Sequence, residues 1–333
     1  MGEMYWLRTS SRYKGGSRRE ETELDFRCAA ANHAGRRDFF SRCRMPGGIS
    51  VDQAHHRKFR DSSAVVIEST KTYLSALNKT ERDHYIYRQA SGVRQIQLIQ
   101  IDEVQVFSPD AIGARLRALD QLADYTDLLY QLAMSNAPET AKARADDLGK
   151  ALVSVSDEVR NLSGADNSGF KLAVEKSFPI IGTVLQAIVS KRIEEALKDA
   201  IVAGDEPVNT LIQAIKVDAE VGYQRKRQAL SKRRADVVTE YNREFEKGPQ
   251  ADLGKLRAYA DVVSATEDRW EAFQIARPVD GLTAMQKANT AMVAFAKTPK
   301  PAISDFATFV DAMETFAATA KRVGEAVAQL NLD

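Results

Sequence analysis

The sequence predicts an all-α fold, an elongated antiparallel bundle of about seven helices. Three observations lead there. Apolar residues recur at threes and fours through most of the chain, clusters of Gly, Pro and Ser cut it into helix-length pieces, and the strand–helix alternation of a nucleotide-binding sheet is missing.

The first sixty residues differ from the rest. They are Arg-rich and lack helical or alternating periodicity, and ten Lys/Arg stand against six Asp/Glu before Ile49. We expect residues 1–60 to form a basic, poorly ordered leader and residues 61–333 to form the helical domain. The leader lacks the apolar core of a secretory signal, so the cytoplasm is the default compartment, with the cell envelope as the alternative if the start codon is misassigned.

Helices are expected from Asp61 onward. In DSSAVVIESTKTYLSALNKTERDHYI, Val66, Tyr73, Leu77 and Ile86 fall near one stripe, and Asp61 or Ser62 can cap the start. RQIQLIQIDEVQVF is rich in β-branched residues and partly alternating, so residues 93–106 hold at most one short strand or an extended connector. Ser108, Pro109 and Asp110 then form a strong start: a hydroxyl acceptor, a residue whose missing N–H costs nothing, and an acid at the positive end of the helix dipole. SNAP at 135–138 and SGADNSG at 163–169 read as turns. GDEP at 204–207 is expected to restart the chain as one very long helix to about Lys247, roughly forty residues and about 60 Å at the usual rise. Helices through Trp270 and Phe295 follow. The last helix has Phe306, Phe309, Met313, Phe316, Ala320, Val323 and Val327 on one face.

Composition narrows function. A hydrophobic fraction of 44% with 28% charged residues is that of a globular protein, and a net charge of +1 supplies no global field for nucleic acid. The chain carries no phosphate-loop, dinucleotide, hydrolase-elbow or zinc signature. Its four histidines and two cysteines are sparse: His84 stands in the helical body, and Cys28, His33 and Cys43 fit no standard zinc spacing. His84 reads as a surface or interhelix hydrogen-bonding residue. No catalytic residue, metal ligand or cofactor is expected.

Two stretches are candidates for contact. Arg225, Lys226, Arg227, Lys232, Arg233 and Arg234 occur within ten positions with no acid among them, so they could meet an anionic partner. Successive positions diverge by 100°, however, and Asp236, Glu240, Glu244 and Glu246 can pair back at i+3 or i+4, which favours a solvated helix face. The apolar run Phe178–Val189, with Phe178, Ile180, Ile181, Val184 and Leu185 as candidate lipid contacts, is twelve residues long where a spanning helix needs about 20. Pro179 and Gly182 point to an irregular entry and a core helix from about Thr183 onward.

ESTKTYLSALNKTERDHYI and FSPDAIGARLRALDQLADYTDLLYQLAMSNAP resemble uncharacterised bacterial all-helical proteins of the envelope lipoprotein type, a likeness that would cover residues 61–333. No lipobox cysteine is present. The resemblance implies a non-catalytic interaction or structural bundle associated with the cell envelope. A protein partner or self-association is expected, and no small-molecule substrate. A membrane-acting bundle of pore-forming type is the second reading and a nucleic-acid-binding bundle the third.

Overall fold

The computed structural model describes residues 51–134, 138–162, 167–188, 193–299 and 301–330. Among them are eight long helices and one short one, with no strand: α1 (Val51–Ser91), α2 (Leu98–Glu103), α3 (Pro109–Met134), α4 (Pro138–Arg160), α5 (Ser168–Ile188), α6 (Ile193–Phe245), α7 (Leu253–Ile275), α8 (Pro278–Lys297) and α9 (Ile303–Leu330). Cys28, His33, Cys43 and the rest of residues 1–50 lie outside the described residues, as do most of the two turns expected at 135–138 and 163–169.

The first helix starts at Val51, well before the predicted cap at Asp61. Tertiary contact explains the difference. His55 meets the rings of Phe306 and Phe309 edge-on at 5.8 and 5.6 Å, and Phe59 packs on Phe316 at 5.7 Å. Residues 51–60 thus dock on the apolar face of α9, which local pattern alone did not show. Asp61 lies within the helix and pairs with Arg60, while Ser62 is buried.

α1 runs through the middle of the packing. Gly222 of α6, Gly281 of α8 and Gly324 of α9 each sit where an added Cβ would press on an α1 side chain: Leu77, Val66 and Val65 respectively. Three helices therefore approach α1 closely because they present no side chain at the crossing. Leu77 beside Gly222 and Tyr87 bonded to Glu240 show that α1 and α6 run side by side in the same direction.

Two expected interruptions are absent. α6 continues through GDEP, so the long helix has 53 residues with Pro207 inside it, and α5 passes through Pro179 without an irregular entry. A proline inside a helix costs about 3 kcal/mol, so packing must outweigh it. The Ser177 hydroxyl donates to the Pro207 carbonyl at 2.8 Å, and the buried Tyr125 hydroxyl donates to the Ala200 carbonyl at 3.1 Å in the turn before the proline. Gly204 leaves the space that the Tyr125 ring fills. The Ser177 bond links α5 to α6 and the Tyr125 bond links α3 to α6, while Phe170, Val174, Phe178, Ile181, Ile212 and Ile215 lie together in the common core.

Residues 93–106 contain the short helix α2 in place of a strand. No neighbouring strand is available among the described residues to accept a ladder, and an isolated strand has no partner for its backbone groups.

Candidate functional site

An open groove of about 680 Å³ is bounded by α1, α6, α7 and the end of α9. Small residues at facing positions create it. Ala76 on α1, Ala229 on α6 and Ala265 and Ala272 on α7 cannot fill the space between the helices, and Leu230 and Leu330 complete an apolar floor.

Basic side chains dominate the walls: Lys79 from α1, Lys226 and Arg233 from α6, and Arg269 from α7, with Asp83 and Asp268 as the acids. Lys226 and Arg233 are seven positions apart, two helical turns, and so share a face. Lys226 is mostly buried and makes no ion pair or hydrogen bond among the described residues; its ammonium lies 5.7 Å from the centre of the Tyr73 ring. Burial, reinforced by the charge of Lys79, pulls its pKa down to about 8. Asp83 sits 3.9 Å from Lys79 and also accepts from Arg82, so its charge is shared.

Arg233 stacks over the Tyr87 ring at 3.3 Å, and the Tyr87 hydroxyl donates to Glu240 at 2.7 Å. One terminal nitrogen of Arg233 is buried without a hydrogen-bond partner among the described residues. Burial lowers its pKa, Arg269 adds to that, and Glu240 and Asp236 oppose it. His84, expected to hydrogen-bond, is half-buried in the wall with Nδ1 unpartnered among the described residues, and its pKa is lowered first by burial and then by Arg88 and Lys232. This arrangement can receive an anion. No group of His, Cys, Asp or Glu suited to a metal ion occurs among the described residues.

The basic run is therefore divided by the fold. Lys226 and Arg233 turn into the groove, whereas Arg225, Arg227 and Lys232 are exposed. Arg234 is held by the neighbouring helix: it donates twice to Glu267, at 2.8 and 2.6 Å, and stacks over Trp270 at 4.7 Å. Of the carboxylates expected to pair back along α6, Asp236 and Glu240 raise the pKa of Arg233, and two of the four also serve other contacts. Glu240 accepts from Tyr87, and Glu244 accepts from Lys247 and the Asp252 backbone, closing the turn into α7. Lys79, Tyr87 and Arg269 were missed because they come from other helices. The i, i+7 spacing of Lys226 and Arg233 was the available signal.

Among the candidate lipid contacts, Phe178, Ile181 and Leu185 are core residues, Ile180 is 41% exposed, and the Val184 side chain lies outside those described. No helix is long and apolar enough to cross a membrane among the described residues.

Exposed apolar surface concentrates elsewhere, on the α1–α2 connector taken together with the first turn of α2. Val93 is 95% exposed, Ile96 50%, Leu98 75% and Ile99 66%. The stretch is anchored on both sides. The Gln97 backbone N–H donates to the Tyr85 hydroxyl at 3.1 Å, which in turn donates to the Gln100 side chain at 2.8 Å. Beyond α2, Asn78 donates to the Phe107 carbonyl at 2.7 Å and accepts from the Val106 N–H at 3.0 Å. Val93 has φ 49°, a left-handed conformation costly for a β-branched residue. Since α1 and α6 run parallel, this connector lies at the same end as Phe245 and Leu253, themselves 64% and 71% exposed.

Comparison of the chain with protein-family models, with curated proteins and with solved structures finds no match.

Proposed function

We propose that the chain is a non-catalytic interaction protein that docks through the apolar α1–α2 connector, with a second copy of the chain as its partner. The observation that carries this reading is the set Val93, Ile96, Leu98 and Ile99, four large apolar side chains within seven positions, all turned to solvent on a connector tied down at both sides. Apolar surface that folding leaves in water gains about 25 cal/mol per Å² when a partner covers it. A net charge of +1 means that two copies do not repel each other strongly, which supports self-association.

Photo-crosslinking tests the reading. A benzophenone amino acid at Leu98 in the purified chain is expected to give a chain-to-chain adduct, and one at exposed Glu139 on α4 is not. Equal adduct yields from the two positions contradict the proposal. Flotation with phosphatidylglycerol vesicles in place of an adduct would favour the membrane-acting reading instead.

A further inference from the structure

The groove between α1, α6, α7 and α9 bears on a separate question, independent of what covers the connector. Lys226 is a mostly buried cation with no carboxylate partner among the described residues. Lys79 and Arg233 line the same groove; among the described residues one terminal nitrogen of Arg233 is buried and unpartnered, as is the hydroxyl of Tyr73, whose ring faces Lys226. A buried cation is normally paired, because desolvation is not otherwise recovered. Here the charge that acts on it from α1, that of Lys79, has the same sign. Selection for stability alone would place an uncharged side chain at position 226. A groove of about 680 Å³ with an apolar floor has the size and lining of a small-molecule site and exceeds what a bare inorganic ion fills.

We propose that this groove binds a phosphate ester on a small apolar body, the phosphate meeting Lys226, Lys79 and Arg233 and the apolar part lying on Ala76, Ala229 and Leu330. A phosphate monoester carries about −1.5 to −2 charges at neutral pH, which compensates Lys226 and its cationic neighbours together. Arginine offers the planar donor pair that suits phosphate oxygens, and its stacking on Tyr87 holds that plane in position. The acids of the groove leave room for this ligand: Asp83 is engaged with Lys79 and Arg82, and Asp268 stands on the opposite helix, α7. Bound phosphate raises the affinity of Lys226 for its proton, since an opposite charge then stands beside it.

Isothermal titration calorimetry on the full chain tests this with phenyl phosphate, inorganic phosphate and phenol, and vesicles containing phosphatidic acid form a parallel arm. Phenyl phosphate is expected to bind, inorganic phosphate about tenfold more weakly and phenol not measurably, as one lost charge-assisted contact or the lost apolar area implies. Lys226→Met and Arg233→Met are each expected to weaken phenyl phosphate roughly tenfold, while Arg227→Gln, exposed on the same helix, changes it less than about twofold. Lys226→Met removes an uncompensated charge, so the variant folds and its thermal midpoint does not fall. NMR of the lysine ε-carbons should show the Lys226 pKa rising on addition of phenyl phosphate. Binding to vesicles as well as to phenyl phosphate supports the site and assigns it to a lipid headgroup; binding to phenyl phosphate alone supports it and assigns a soluble ester. No heat with phenyl phosphate, or equal losses in Arg227→Gln and Lys226→Met, overturns the proposal.

Discussion

Arg115 of α3 and Asp218 of α6 form a buried ion pair, the guanidinium Nε donating to the carboxylate at 2.7 Å. The same guanidinium donates to the Ala111 carbonyl and to Asn167, both at 3.0 Å, and lies against the rings of Phe107 and Phe170 at 4.1 and 4.8 Å. One side chain thus connects α3, the start of α5, the long helix and the end of the α2–α3 connector. Removing one partner leaves the other charge buried, which costs about 3–5 kcal/mol. In urea unfolding Arg115→Met is expected to lose that much, and Arg115→Met with Asp218→Leu less than the sum of the two single changes. Strict additivity would contradict the pair's role.

Lys226 contributes one pH-dependent part of the stability. Its folded pKa of about 8 lies below the ordinary lysine value of the unfolded chain. Between these values the unfolded state binds more protons, so this group makes stability rise as pH increases from about 8 to about 10.5 and contributes no slope below about 7. The difference between wild type and Lys226→Met, followed by urea unfolding from pH 7 to 10.5, isolates the group. Expected is a Met advantage at pH 7 that shrinks as pH rises.

Glycines separate into two kinds. A Cβ at Gly222 would stand 2.5 and 2.8 Å from the two Leu77 methyls, so Gly222→Ala forces α1 and α6 apart and should cost roughly 1–3 kcal/mol. At Gly149, inside α4, nothing lies within 4 Å of the added carbon, and Gly149→Ala should stabilise by about 0.5–1 kcal/mol. Thermal unfolding of the two variants is expected to shift in opposite directions.

Arg234→Gln removes the α6–α7 link through Glu267 and Trp270. Both partners are partly exposed, so the expected loss of global stability is small. Its readout is faster amide hydrogen exchange in the facing segments of α6 and α7 with nearly unchanged global stability.

The helices that the sequence made legible are those whose signal is local. Ser108 does cap α3, its hydroxyl accepting from the Ala111 N–H at 3.2 Å, and the Phe309–Val327 face of α9 is buried as its periodicity predicts. Misreadings fall where tertiary contact outweighs local preference. α5 and α6 continue through Pro179 and Pro207, with Ser177 bonding the Pro207 carbonyl and Tyr125 the Ala200 carbonyl, and residues 51–60 become helical because α9 offers Phe306, Phe309 and Phe316. The basic run was visible as composition, but which cations face the groove depends on α1 and α7. β-branched composition at 93–106 suggested a strand, whereas Val93, Ile96 and Ile99 are exposed around a short helix and Val106 is buried beyond it.

Sedimentation velocity of the wild-type chain and of a Val93→Ser, Leu98→Ser, Ile99→Ser variant tests most directly whether the connector is an interaction surface. These side chains touch little of the core, so the variant should keep its helical circular dichroism and thermal midpoint. The wild type is expected to shift toward a dimer as concentration rises while the variant stays monomeric throughout. A wild type and variant with identical concentration dependence would contradict the docking role of the connector.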